Sequence, residues 1–146
     1  MSGVEGVILG SGGSRVLGTF YAPDSEARHP AVALLHGLPG TEKNLDLAHA
    51  LRRSGLGCLA IYFRGAWGSG GDFHMDHLIP DALAALDWLE HRAGVEPERL
   101  GLIGYSLGGW AALQAAARDA RVRTVVALAP LLDGASVDML PGLAEE

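Results

Sequence analysis

Gly104-Tyr105-Ser106-Leu107-Gly108 matches the pattern G-x-S-x-G, and Gly109 follows it. A serine nucleophile suits that spacing. On a very sharp strand-to-helix bend its backbone is strained and its Oγ is lifted above the sheet. Side chains two residues to either side would clash, so glycine is needed at 104 and at 108. The bend also sets Ser106 at the start of the next helix, where unpaired N–H groups and the helix dipole favour developing negative charge. The chemistry implied is acyl transfer, with attack on a carbonyl carbon and charge gathering on its oxygen. The same five residues also describe a plain β-α turn with an incidental serine. The apolar run 100–103 before the pattern and the helix-forming run 107–117 after it favour the first reading.

Acyl transfer needs hydrogen-bond donors for the oxyanion. One is expected from the backbone N–H of Leu107. The other is expected from His36-Gly37-Leu38-Pro39-Gly40, which directly follows the apolar run 31–35, through the N–H of Leu38. Glycines such as Gly37 allow a close backbone approach. His36 precedes the nucleophile and sits in this loop, so it reads as a residue that positions the loop by local hydrogen bonds rather than as a catalytic base.

These groups need a scaffold. Residues 4–9 and 15–21 flank Gly10-Ser11-Gly12-Gly13-Ser14 and read as an antiparallel hairpin. The run 31–35 is continuously apolar, as in a strand buried on both faces. A helix is expected over 44–53, with Asn44 as N-cap and Gly55 as its stop. A strand follows at 58–62, then a long glycine-rich loop at 64–73. Pro80 suits the first turn of a helix reaching about residue 93. A strand at 100–104, a helix at 107–117 and a strand at 124–128 complete the order β-β-β-α-β-α-β-α-β. The expected architecture is a three-layer α/β/α sandwich with a mostly parallel sheet in a single domain.

Three segments in this order carry a resemblance: residues 36–40, then Tyr62-Phe63-Arg64-Gly65 with Trp67-Gly68-Ser69-Gly70-Gly71, then residues 99–109. Together, over about residues 4 to 130, the chain resembles the α/β-hydrolase superfamily. It is most similar to the esterase and dienelactone-hydrolase-like branch, and it is also similar to the catalytic domains of prolyl-oligopeptidase-type peptidases. The resemblance implies a serine hydrolase that works through an acyl-enzyme without a cofactor. It places residues 64–77 near the active-site mouth, which makes Trp67 and His74 candidate substrate contacts.

The chain departs from that family in two respects, the place of its histidines and the absence of the further strands that the family carries after the one at 124–128. The family order is serine, acid, histidine, whereas the six histidines here stand at 29, 36, 49, 74, 77 and 91, all before Ser106. Asp133, just past the last strand, is the candidate acid; a turn or cap is its structural alternative, and Asp138 is a weaker candidate. A serine that loses a triad partner loses on the order of 10⁴-fold or more in rate. Three explanations stand: a portion of a longer hydrolase, a shortened protein that dimerises, or an enzyme that uses His74 or His77 in a rearranged site. The strand at 124–128 would then be an open edge for pairing with a second copy, and apolar surface would be exposed beside the helix at 44–53.

Other features read as structural. His74-Met75-Asp76-His77 lacks a third strong metal ligand nearby, so no metal is expected. Arg64 is expected to tie loop carbonyls or a carboxylate together. The Gly10–Ser14 turn precedes a strand and lacks a G-K-[ST] ending, which argues against phosphate binding. Trp88 and Trp110 read as packing residues, and Cys58 as a buried structural thiol. The chain has 146 residues, 49% of them hydrophobic and 19% charged, with a formal net charge of −6. The apolar fraction supports a core. With no basic stripe, a nucleic-acid partner is not expected. No apolar run approaches the roughly 20 residues of a membrane span, so no membrane partner and a cytoplasmic location are expected. The reaction expected is hydrolysis of a small-molecule carboxylic ester, with amide hydrolysis or a non-catalytic hydrolase-like protein as alternatives.

Overall fold

A computed structural model describes residues 3–40 and 42–132. The elements are β1 Gly3–Ser11, β2 Ser14–Ala22, β3 His29–Leu35, α1 Leu45–Arg53, β4 Gly57–Ile61, α2 Met75–His91, β5 Val95–Tyr105, α3 Leu107–Arg118 and β6 Val122–Leu128. Their order is the one expected from the sequence. They build a six-stranded sheet in the order β1-β2-β4-β3-β5-β6. β2 pairs antiparallel with both β1 and β4, and the remaining pairs are parallel.

The sheet separates two cores. On one face Ala48, Leu45, Leu47 and Leu51 of α1 pack against Val32, Leu34, Ala60 and Ile103. On the other, Leu78, Ala82 and Leu86 of α2 and Ala111 and Ala115 of α3 pack against Phe20, Leu35, Leu59 and Leu102. Every residue of β4 is buried, which is why its sequence is apolar throughout rather than alternating. Cys58 lies there. Burial pushes its thiol up to about 12, so it stays protonated and serves as packing.

The structure moves three details away from expectation. α2 begins at Met75, so Pro80 lies inside the helix rather than in its first turn. The proline gives up only its own N–H, and the turns around it bury Leu78 and Ala82. Asn44 occupies the cap position of α1, but with φ 58 and no side-chain cap bond; its own N–H donates instead to Glu42 Oε1 at 2.8 Å. β5 starts at Val95 and pairs with His29 before a register shift to Ala31↔Leu100. Gly55, at φ 89, follows α1 as expected.

β1 and β6 are the two outer strands among the described residues. Val126 and Leu128 are 42% and 40% exposed. No described helix is long and apolar enough to cross a membrane.

Candidate active site

β5 passes into α3 through Ser106, whose backbone sits at φ 54, ψ −115. An L-residue pays strain energy for that conformation. The neighbouring glycines explain how the bend closes. A Cβ at Gly104 would overlap the Gly108 carbonyl, and a Cβ at Gly108 would overlap the carbonyls of Leu35 and His36. Main chain from β3, β5 and α3 therefore meets at this bend with no room for side chains. The Ser106 N–H donates to the Leu128 carbonyl at 2.8 Å, and the Ser106 carbonyl accepts from Trp110 N at 3.1 Å and from Leu131 N at 3.3 Å. Its side chain is half-buried and makes no cap bond. Leu107, fully buried, is the first residue of α3, so its N–H has no intrahelical partner.

The loop after β3 reaches the same bend. A Cβ at Gly37 would stand 3.4 Å from Ser106 Cβ and 3.3 Å from the Tyr105 carbonyl. Leu38 follows, with its side chain against the α2–α3 core. His36 is 2% exposed and engaged through both ring nitrogens. Phe63 N–H donates to Nε2 at 3.0 Å, which leaves Nδ1 to carry the proton toward the Gly37 carbonyl at 2.6 Å. Burial lowers its pKa to about 4, opposed by the Gly37 bond and helped by the charge of Lys43. A neutral imidazole with both nitrogens occupied cannot take a proton from Ser106. His36 fixes the β3 loop against the end of β4.

The glycine-rich loop forms the adjoining wall. Trp67, at φ 41, sets its ring edge-on to His36 at 4.6 Å and to Tyr62 at 5.7 Å. Lys43 Nζ lies 4.8 Å from the Trp67 ring centre and 5.0 Å from that of Tyr62. Beneath the loop, Arg64 and Asp81 form a buried pair. Asp81 Oδ1 accepts from Arg64 Nε at 2.7 Å, and Oδ2 accepts from the Arg64 backbone N–H at 2.9 Å. The expectation that Arg64 ties a carboxylate to the loop holds. Ser69 adds a second tie, donating to the Tyr62 carbonyl and accepting from Leu17 N–H.

His74 stands at the N-cap of α2, with Nδ1 accepting from Asp76 N–H at 3.1 Å. Its ring is 5.5 Å from that of His77, whose Nδ1 bonds the Asp72 carbonyl. Asp133, the candidate acid, and Asp138 lie outside the described residues. The structure thus gathers Ser106, Leu107, His36, Gly37 and Trp67 into one region. Sequence reading missed Lys43 and Asp81, and gave Tyr62 only as part of a family-like segment. Asp81 had a signal, a carboxylate at a core position of the α2 stripe between Leu78 and Ala82. Lys43 had none, because its meeting with Tyr62 and Trp67 depends on how two loops fold over each other.

Residues 13–143 match the family described as X-Pro dipeptidyl-peptidase (S15 family). The chain belongs to the S15 peptidase family. This S15 chain is 32% identical over 123 residues to an uncharacterized 31.7 kDa protein of the traX-finO intergenic region of Escherichia coli, covering 80% of itself and 42% of that protein. It is 28% identical over 127 residues to the thiohydrolase aneE of Aspergillus aculeatus, covering 83% of itself and 39% of that protein. The crystal structure of the α/β hydrolase GrgF from a Penicillium species superposes with a TM-score of 0.82 at 27% identity, over 90% of this chain and 47% of that one. The S15 chain therefore spans less than half the length of these relatives. The α/β-hydrolase fold expected from the three sequence segments is the fold observed.

Proposed function

We propose that Ser106 is the nucleophile of a serine hydrolase that cleaves small carboxylic esters through an acyl-enzyme, with the N–H groups of Leu38 and Leu107 as oxyanion donors. The observation that carries this reading is the backbone of Ser106, φ 54 and ψ −115, at a bend that only glycines at 104 and 108 permit. A protein does not hold a serine in that conformation for packing, since the side chain is not in the core. The thiohydrolase relative supports chemistry at an acyl carbonyl.

Attack by Ser106 on the ester carbon forms a tetrahedral oxyanion. Collapse expels the alcohol and leaves the acyl group on Oγ; water then releases the acid. A base must take the Oγ proton. His36 is excluded by its own bonds, and the described residues show no hydrogen bond to Oγ. The described residues alone therefore support slow acylation by activated reagents, with turnover on the order of 10⁶-fold below that of a complete triad.

A fluorophosphonate probe tests the reading. Ser106 is expected to be labelled, and Ser106→Ala to abolish labelling while leaving the circular dichroism unchanged. A well-folded chain that takes no label would overturn it. The S15 match favours a second reading, cleavage of an amide after proline. Acylation by Gly-Pro-p-nitroanilide in preference to p-nitrophenyl acetate would select it. A second copy pairing along β6 belongs to the same proposal.

A further inference from the structure

Lys43, just ahead of α1, brings to the site an ammonium whose hydrogen-bond donors nothing described so far uses. Lys43 is half-buried. Its ammonium rests over two ring faces, Trp67 at 4.8 Å and Tyr62 at 5.0 Å, both within cation–π range. No described carboxylate pairs with it. Ring faces hold the charge in place but leave the N–H donors of an ammonium unmet.

Its position relates it to Ser106. The Trp67 ring that carries Lys43 lies 4.6 Å from the His36 ring, and the next residue, Gly37, abuts Ser106 Cβ. Lys43 lines an open cleft of about 570 Å³ together with Glu42, Asn44, Leu45 and Asp46. In that cleft Asn44 Nδ2 is buried with no hydrogen-bond partner. Two acids share the cleft. Glu42 Oε1 already accepts from the Asn44 N–H, and Asp46 is exposed in the first turn of α1. The two rings cover one side of the ammonium, so an anion would meet its N–H groups from the side the rings leave open.

We propose that Lys43 reads an anionic group on the substrate, which narrows the substrate class to esters whose acyl part ends in a carboxylate. The proposal rests on Ser106 as nucleophile. With its carbonyl at Ser106, the acyl chain passes Gly37 and Trp67, and its carboxylate meets the ammonium that the two rings hold ready. A charge fixed beforehand gives up little side-chain freedom on binding, and so discriminates better than a loose surface lysine.

The test uses Ser106→Ala protein, which cannot turn over, titrated calorimetrically with monomethyl glutarate and with neutral dimethyl glutarate. The monoanion is expected to bind about tenfold more tightly. Lys43→Met in the same background should remove that advantage while moving the diester less than twofold, and Lys43→Arg should restore most of it, since arginine keeps both the charge and the ring contact. Equal affinity for the two ligands, no measurable binding of the monoanion, or an advantage that survives Lys43→Met overturns the proposal. Failure of Ser106 labelling is a separate result and overturns the nucleophile instead.

Discussion

At residue 106 function and stability pull in opposite directions. Glycine adopts φ 54, ψ −115 without the steric penalty a serine meets there. Ser106→Gly is therefore expected to abolish probe labelling and to stabilise the fold by about 1 kcal/mol, read as a higher urea midpoint. Gly108→Ala has the opposite sign, because its methyl group would overlap the Leu35 and His36 carbonyls, which are backbone and cannot turn aside. A loss of about 3 kcal/mol or more, or failure to fold, is the expected outcome. His36 makes stability depend on pH. Its folded pKa, about 4, lies below its ordinary value of 6.5, so between those values the unfolded chain binds the extra proton. The contribution is complete above about pH 6.5 and is lost as pH falls toward 4, amounting to roughly 3 kcal/mol. Urea midpoints measured at pH 7 and pH 4.5 should fall together much less in His36→Gln than in the native chain. The serine and its two glycines were legible in the sequence because a sharp bend admits so few residue types. The engaged state of His36 was legible only in outline, since Phe63 lies in the loop after β4, far along the chain.

Among the elements, α2 holds the wall of the site in place. Asp81 is fully buried, and both of its oxygens serve Arg64. Asp81→Ala strands a buried guanidinium and should cost about 3–5 kcal/mol. Arg64→Met combined with Asp81→Leu should recover much of that loss; additive losses in chemical denaturation would show that the two side chains act separately. Strands and helices were readable in their correct order because two-faced burial makes residues 31–35 of β3 and all of β4 apolar, and α1 and α3 carry a clear stripe. Element ends were less readable. Pro80 pointed to a helix start, yet α2 begins at Met75, because Leu78 contributes to the core and His74 supplies a cap. Asn44 had the right residue type for a cap, but tertiary placement put it in the left-handed region, where its side chain does not reach the helix.

On the scale of the whole molecule, the two faces of the sheet are unequally covered. Among the described residues α2 and α3 share one face, while α1 alone packs on the other, and Val126 and Leu128 of β6 meet solvent. An outer strand with free main-chain groups and apolar side chains is a template for pairing. Sedimentation velocity is expected to show concentration-dependent association that Val126→Lys suppresses. A monomer at all concentrations would remove β6 from consideration as a contact between copies. The sheet order has one more consequence, for the moments after synthesis. β3 lies between β4 and β5, yet β5 does not begin until Val95. At ribosomal speeds of about 5–20 residues per second, the stretch Pro-Ala-Val-Ala-Leu-Leu waits several seconds for its second neighbour. During that interval an aliphatic strand of the nascent chain has one flank bare, and a chaperone that recognises short aliphatic segments would find a target there.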